Sequence, residues 1–310
     1  MDIIMLRALS ILLLPLLSWT SSPTLAAPAV VTDVPSTHSL VTMVMGTSPQ
    51  LLLRAGATPH DYSMRPSEAA SLGKADVVFW VSSGLSPWLP KAIKSLAPDI
   101  RSVELLETTG TVRLALRESA TFDDDEHHHH DTDGLPDPHA WLNPANAQLW
   151  LQIIADTLSE LDPEQSAFYQ SNALEGIKKL EALDVKIVDQ LSSVKDKPFI
   201  VFHDSYHYLE DYYDLPATAT ISLGDGTRPG IRQINALRAV LKEHPDTCIF
   251  SEPQFSERLV DTVIEGSHAK RGVLDPLGAT LTPGPDLYAE LLQNIAQTLH
   301  DCLSAPTNPD

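Results

Sequence analysis

The chain has 310 residues, with 21 Lys and Arg against 41 Asp and Glu, a formal charge of −20 at pH 7. A surface this acidic repels nucleic acid and anionic lipid and draws in cations, so nucleic-acid partners and stable membrane insertion are not expected. Its only two cysteines, Cys248 and Cys302, are too far apart for a zinc site by spacing.

The chain opens "MDIIMLRALSILLLPLLSWTSSPTLAAPA", with Arg7 before an apolar run from Ala8 to Leu17 and small residues up to Ala26 and Ala27. That is the layout of a cleavable secretory signal over residues 1–27, and the run is too short to span a bilayer. No Cys follows it to carry a lipid anchor. An exported product with an isolated Cys pair is expected to join Cys248 to Cys302, stabilising the fold by about 4 kcal/mol in the chain-entropy model. Roughly 280 residues then remain, room for two lobes.

"QLLLRAG" (50–56) and "DVVFWVS" (76–82) read as strands, with a short helix between them that starts at Pro66. "SVELLE" and "TVRLAL" are further strand candidates. Strands alternating with helices predict a parallel sheet covered on both faces. From Asn146 to about Val194 the pattern is helical, broken only at Pro163. Phe168, Leu174, Ile177, Leu180, Leu183, Ile187 and Leu191 recur at three- to four-residue steps after that break. Such a helix would run roughly 45 Å, enough to pass one lobe and tie two together. The rhythm resumes with strands at "PFIVF", "TCIFSEP" and "RGVLDPLG" and helices at "FSERLVDTVIEGSHA" and "PDLYAELLQNIAQTLHDCLS". The expected class is α/β: a first lobe over 28–160, a connecting helix over 161–195 and a second lobe over 196–310.

Ligands of open α/β sheets collect at the carboxyl ends of strands. His60 lies just beyond the "QLLLRAG" strand, "PFIVFHD" delivers His203 at a strand end, "IFSEP" delivers Glu252 and "GVLDPLG" delivers Asp275, while "DPHAWLNP" places His139 between the lobes. A lone His after a strand is usually a hydrogen-bonded residue with no ligand. Three of them, each beside Pro or Asp and an aromatic, could converge with a carboxylate into a zinc shell. "HDSYH" (203–207) also resembles the H-E-x-x-H helix of zinc peptidases, which would make the protein a secreted zinc hydrolase. The strand-like "PFIVF" before it and Asp in place of Glu speak against that. Ahead of "DPHAWLNP", residues 123–133 hold His127, His128, His129 and His130 among acidic residues, a composition that makes weak, fluxional metal sites or a plain solvated loop.

"GATPHDYSMRPSEAASLGKADVVFWVSSGLSPWL", "DPHAWLNP", "FIVFHDSYHYLEDYYDL", "IFSEPQF" and "GVLDPLG" closely resemble the zinc-specific periplasmic binding components of bacterial ABC uptake systems. The likeness covers essentially the whole chain after the leader. It implies two α/β lobes joined by one long helix, with Zn2+ buried in the cleft on His60, His139 and His203. The acidic position that completes the shell in many relatives falls on Asp275, although some zinc members have water or another carboxylate there. It further implies a monomer in the periplasm, an inner-membrane ABC permease and its ATPase as partners, capture without catalysis, and an accessory role for His127–His130. Manganese-binding relatives place a carboxylate where His203 stands, and an imidazole-rich site favours zinc. A passive zinc buffer with no permease partner is the remaining alternative.

Overall fold

The computed structural model describes residues 27–122, 134–224 and 229–306. The proposed leader up to residue 26 and the acidic His-rich segment 123–133 lie outside the described residues. Among the described residues no helix is long and apolar enough to cross a membrane.

Two four-stranded parallel sheets form the frame. The first contains β1 (Val30–Thr32), β2 (Gln50–Leu51), β3 (Val77–Trp80) and β4 (Arg101–Glu104), in the order β2-β1-β3-β4. β5 (Phe199–His203), β6 (Ala219–Ser222), β7 (Cys248–Ser251) and β8 (Lys270–Val273) make the second, in the order β6-β5-β7-β8. The strand order is the same in both, a repetition that the sequence does not display. β1, β3, β5, β6 and β7 are buried along their whole length, which explains their unbroken apolar runs.

Helix α4 (Pro144–Leu161) starts with Pro144 in its first turn, and the Asn143 side chain accepts from the Ala145 and Asn146 amides, a complete N-cap. A 3-10 turn at Pro163–Gln165 separates it from α5 (Ser166–Ser192), a 27-residue helix about 40 Å long. The buried stripe of α5 is Tyr169, Ala173, Gly176, Leu180, Ile187 and Leu191, while Phe168 and Leu174 of the expected stripe are exposed. The difference lies in small residues: Gly176 lets the α5 backbone approach α4 so closely that a Cβ there would lie 3.0 Å from a Leu151 methyl. α5 also packs against α1 (Pro35–Met45) and α9 (Leu287–Ser304). One apolar core runs through these helices into both sheets, with Leu40, Trp150, Leu180, Phe250, Tyr288 and Ile295 among its members. Separate clusters cover the outer face of each sheet. Cys248 of β7 is bonded to Cys302 of α9, tying the last helix to the second sheet.

Two strand expectations need correction. "SVELLE" is β4 only to Glu104 and then tightens into a 3-10 turn at Leu105–Glu107. "TVRLAL" joins neither sheet. Residues 114–122 instead form a strap that leaves the first lobe, makes an isolated antiparallel bridge from Ala115 to Pro136, and reaches the free edge of β6 through a Thr121–Ala219 bridge. Val112 and Leu116 stay exposed there, and Pro136 has no amide to extend the pairing.

Candidate metal centre

The site sits where the strand order of each sheet reverses and the carboxyl ends of strands from both lobes meet. His60 lies in the loop after β2, whose backbone is pinned by the Trp88 indole donating to the Pro59 carbonyl at 2.9 Å. His139 precedes a 3-10 turn, Ala140–Leu142, that leads into α4. The fully buried Trp141 of that turn donates to the Pro276 carbonyl of the second lobe at 2.8 Å, and Tyr288 donates to the Trp141 carbonyl at 2.7 Å. His203 is the last residue of β5.

The three imidazoles converge. One ring nitrogen from each lies within 4.8 Å of the other two, and His60 Nε2 is 3.3 Å from His139 Nε2. A tetrahedral zinc ion with nitrogens at about 2.05 Å would hold them about 3.3 Å apart. Between them is a cavity of about 20 Å³, room for one ion or one water.

The surroundings of His139 and His203 suit a cation held by imidazole nitrogens. Asp137, fully buried, accepts at one carboxylate oxygen from both the backbone amide (2.9 Å) and Nδ1 (2.7 Å) of His139. With Nδ1 donating, Nε2 is left to face the cavity, the usual carboxylate–histidine arrangement behind a metal ligand. Burial works against charge on Asp137, yet His139 and the hydrogen bonds it donates, with His207 nearby, outweigh it and hold this carboxyl well below the usual range. Burial first, and the neighbouring His139 and His60 second, push His203 well below the ordinary imidazole value, which favours the neutral ring.

The carboxylates are less simply placed. Asp275 is outside the converging group: its oxygens accept from Gln254 Nε2 at 3.3 Å and from the amide and hydroxyl of Thr280 at 3.2 and 3.3 Å. Its neighbours Pro276 and Leu277 line the cavity, and so does Glu252, which is 3% exposed. His127–His130 fall outside the described residues. His38, on α1, is a buried structural histidine bonded to the Ser48 hydroxyl at 2.9 Å.

The peptidase-like spacing of "HDSYH" does not produce a peptidase-like helix. His203 ends a strand and His207 begins α6 (His207–Tyr213), so the pair does not share a helical face. His207 instead turns its Nδ1 toward Asp137, 3.6 Å from the second carboxylate oxygen. Sequence reasoning overlooked Asp137 as the group behind His139, although Asp two residues ahead of a candidate ligand in "DPH" was a readable signal.

Residues 30–302 match the family described as ZnuA, zinc-uptake complex component A, periplasmic. The chain is similar to the high-affinity zinc uptake system protein ZnuA of Paracoccus denitrificans, with 39% identity over 97% of this chain and all of that one. The protein of the same name from Brucella suis biovar 1 is 37% identical, over 89% of this chain and 91% of its own. A crystal structure described as ZnuA superposes with a TM-score of 0.76 at 24% identity, covering 90% of this chain and all of the other. At that identity the superposition speaks to the fold.

Proposed function

The chain belongs to the ZnuA family of periplasmic zinc-uptake components, and from that premise we propose that it captures Zn2+ on His60, His139 and His203 and releases it to an inner-membrane ABC permease driven by its ATPase. The observation that carries this reading is the 3.3 Å separation of two Nε2 atoms around a cavity sized for one ion, with a nitrogen of the third ring within 4.8 Å of both. Zinc is the cargo. Three neutral imidazoles suit it better than manganese, which prefers oxygen.

Asp275 is the proposed fourth ligand, reached by exchanging its bonds to Gln254 and Thr280 for the metal. A shell filled by four protein groups leaves no open position to activate water, so the site binds without catalysing. Residues 1–27 would be removed on export to the periplasm, where the protein acts as a monomer. His127–His130 would serve as a weaker, accessory collector of zinc. Because bound imidazole must be unprotonated, affinity should fall as pH drops below about 6.

Replacing His203 tests the metal assignment. His203→Glu exchanges an imidazole for oxygen ligands, and zinc affinity measured by chelator competition should fall while manganese binding gains. Zinc affinity equal to that of the parent chain would remove His203 from the site.

A further inference from the structure

The strap and the turn that follows His203 meet at one side chain. Arg117 is largely buried, and its two terminal nitrogens both lie 3.0 Å from the same Glu210 carboxylate oxygen on α6. One of them is also 3.1 Å from Asp204, the residue after His203. The Phe122 ring lies under the guanidinium, 3.9 Å from its carbon, and keeps the fork in place from below. Asp204 and Glu210 are 2% and 4% exposed, so neither has water as a ready substitute for this partner. The Glu210 oxygen that receives Arg117 also accepts from the Ala217 amide, which extends the lock to the loop before β6.

The other end of the same strap reaches the second ligand. The Leu114 carbonyl accepts from the Asp137 amide at 2.8 Å, and the Leu114 amide donates to the Tyr208 hydroxyl at 3.0 Å. Tyr208 in turn donates to the Asp137 carbonyl at 3.0 Å. A nine-residue stretch, 114–122, therefore joins the carboxylate that orients His139 to the acid beside His203.

We propose that Arg117 is a positioning residue for the metal site: by clamping Asp204 and Glu210 to the strap it sets the separation of His203 from His139. The proposal rests on the three-histidine reading above. It also gives the acidic residue of "HDSYH" a role, as the grip for Arg117.

The test uses the full mature chain and zinc itself. Arg117→Met keeps much of the stem and removes the fork, whereas Arg117→Lys keeps a charge that can serve one acid at a time. Three quantities are read: the rate of zinc loss to excess chelator, the visible absorption bands of the Co2+-substituted site, and the melting temperature. Loss of a group that orients a ligand typically weakens metal binding by about tenfold or more. Arg117→Met should therefore release zinc roughly tenfold faster and shift the Co2+ bands, with Arg117→Lys in between. Unchanged bands and release rate overturn the proposal, even if the melting temperature falls. Should Arg117→Met not fold, Asp204→Asn, nearly the same shape without the charge, must move the bands and the rate in the same direction. If the parent chain does not hold one zinc on three histidines, the underlying reading fails. If it does and the variants match it, only the clamp fails.

Discussion

Asp137→Asn removes one charge and almost no volume from the group behind His139. In the parent chain one carboxylate oxygen receives both the backbone amide and Nδ1 of His139, at 2.9 and 2.7 Å, in a fully buried setting. A hydrogen bond to a charged acceptor is worth about 1.5–3 kcal/mol, and one to a neutral acceptor about 0.5–1.5. The exchange therefore costs roughly 1–2 kcal/mol where ring orientation and basicity matter, which is about 5- to 30-fold in zinc affinity. That range overlaps the 10- to 100-fold expected for a group behind a metal ligand. Chelator competition at neutral pH, paired with thermal melting of the metal-free protein, gives both numbers. Zinc affinity within about twofold of the parent would refute the orienting role. A lowered melting temperature with unchanged affinity would make Asp137 a residue of the fold alone.

Two further outcomes concern the frame. Gly176→Val drives a branched side chain into the place where Leu151 and Met43 already stand 3.0 and 3.6 Å from a Cβ position, and should destabilise by about 1–3 kcal/mol in denaturant titrations; parent-like stability would mean that α4 and α5 are not in close contact. Asp33, wholly buried at the β1–α1 junction, is pushed up to about 6 by burial, against the hydrogen bonds it receives from the Val81 and Val34 amides and the Ser86 hydroxyl. Its folded-state pKa lies above its unfolded value, so the folded state binds the proton more tightly and stability from this group declines as pH rises from about 4 to about 6. Relative to the parent, Asp33→Asn should thus gain about 3 kcal/mol of stability between those limits. A difference between the two proteins that does not vary with pH would contradict the burial argument.

The three histidines that converge in the candidate site could be read before any coordinates. His60 and His203 follow strands, and His139 stands in "DPH" ahead of a helix; local sequence carries these signals because strand ends are local features. Which carboxylate faces the cavity was not readable: Glu252 and Asp275 both follow strands of the second sheet, and their reach depends on loops that the strand pattern does not determine. Arg117 was invisible for a related reason, since its partners Asp204 and Glu210 are far along the chain and the intervening pairing is a pair of isolated bridges rather than a sheet. "TVRLAL" alternates like a strand, but pairing depends on what lies beside it, and Pro136 limits that. The stripe of α5 was read in part: Leu180, Ile187 and Leu191 are buried as their spacing suggests, but periodicity locates apolar side chains, whereas close helix packing also selects the smallest residues, here Ala173 and Gly176.

Zinc stoichiometry and affinity of mature protein lacking residues 123–133 test the central claim most directly. If His60, His139 and His203 are the working site, one tightly bound zinc per chain remains after the deletion and disappears when His139→Ala is added. If tight binding is lost with the deleted segment, the histidine-rich stretch is itself the site and the three converging imidazoles are not where zinc is captured.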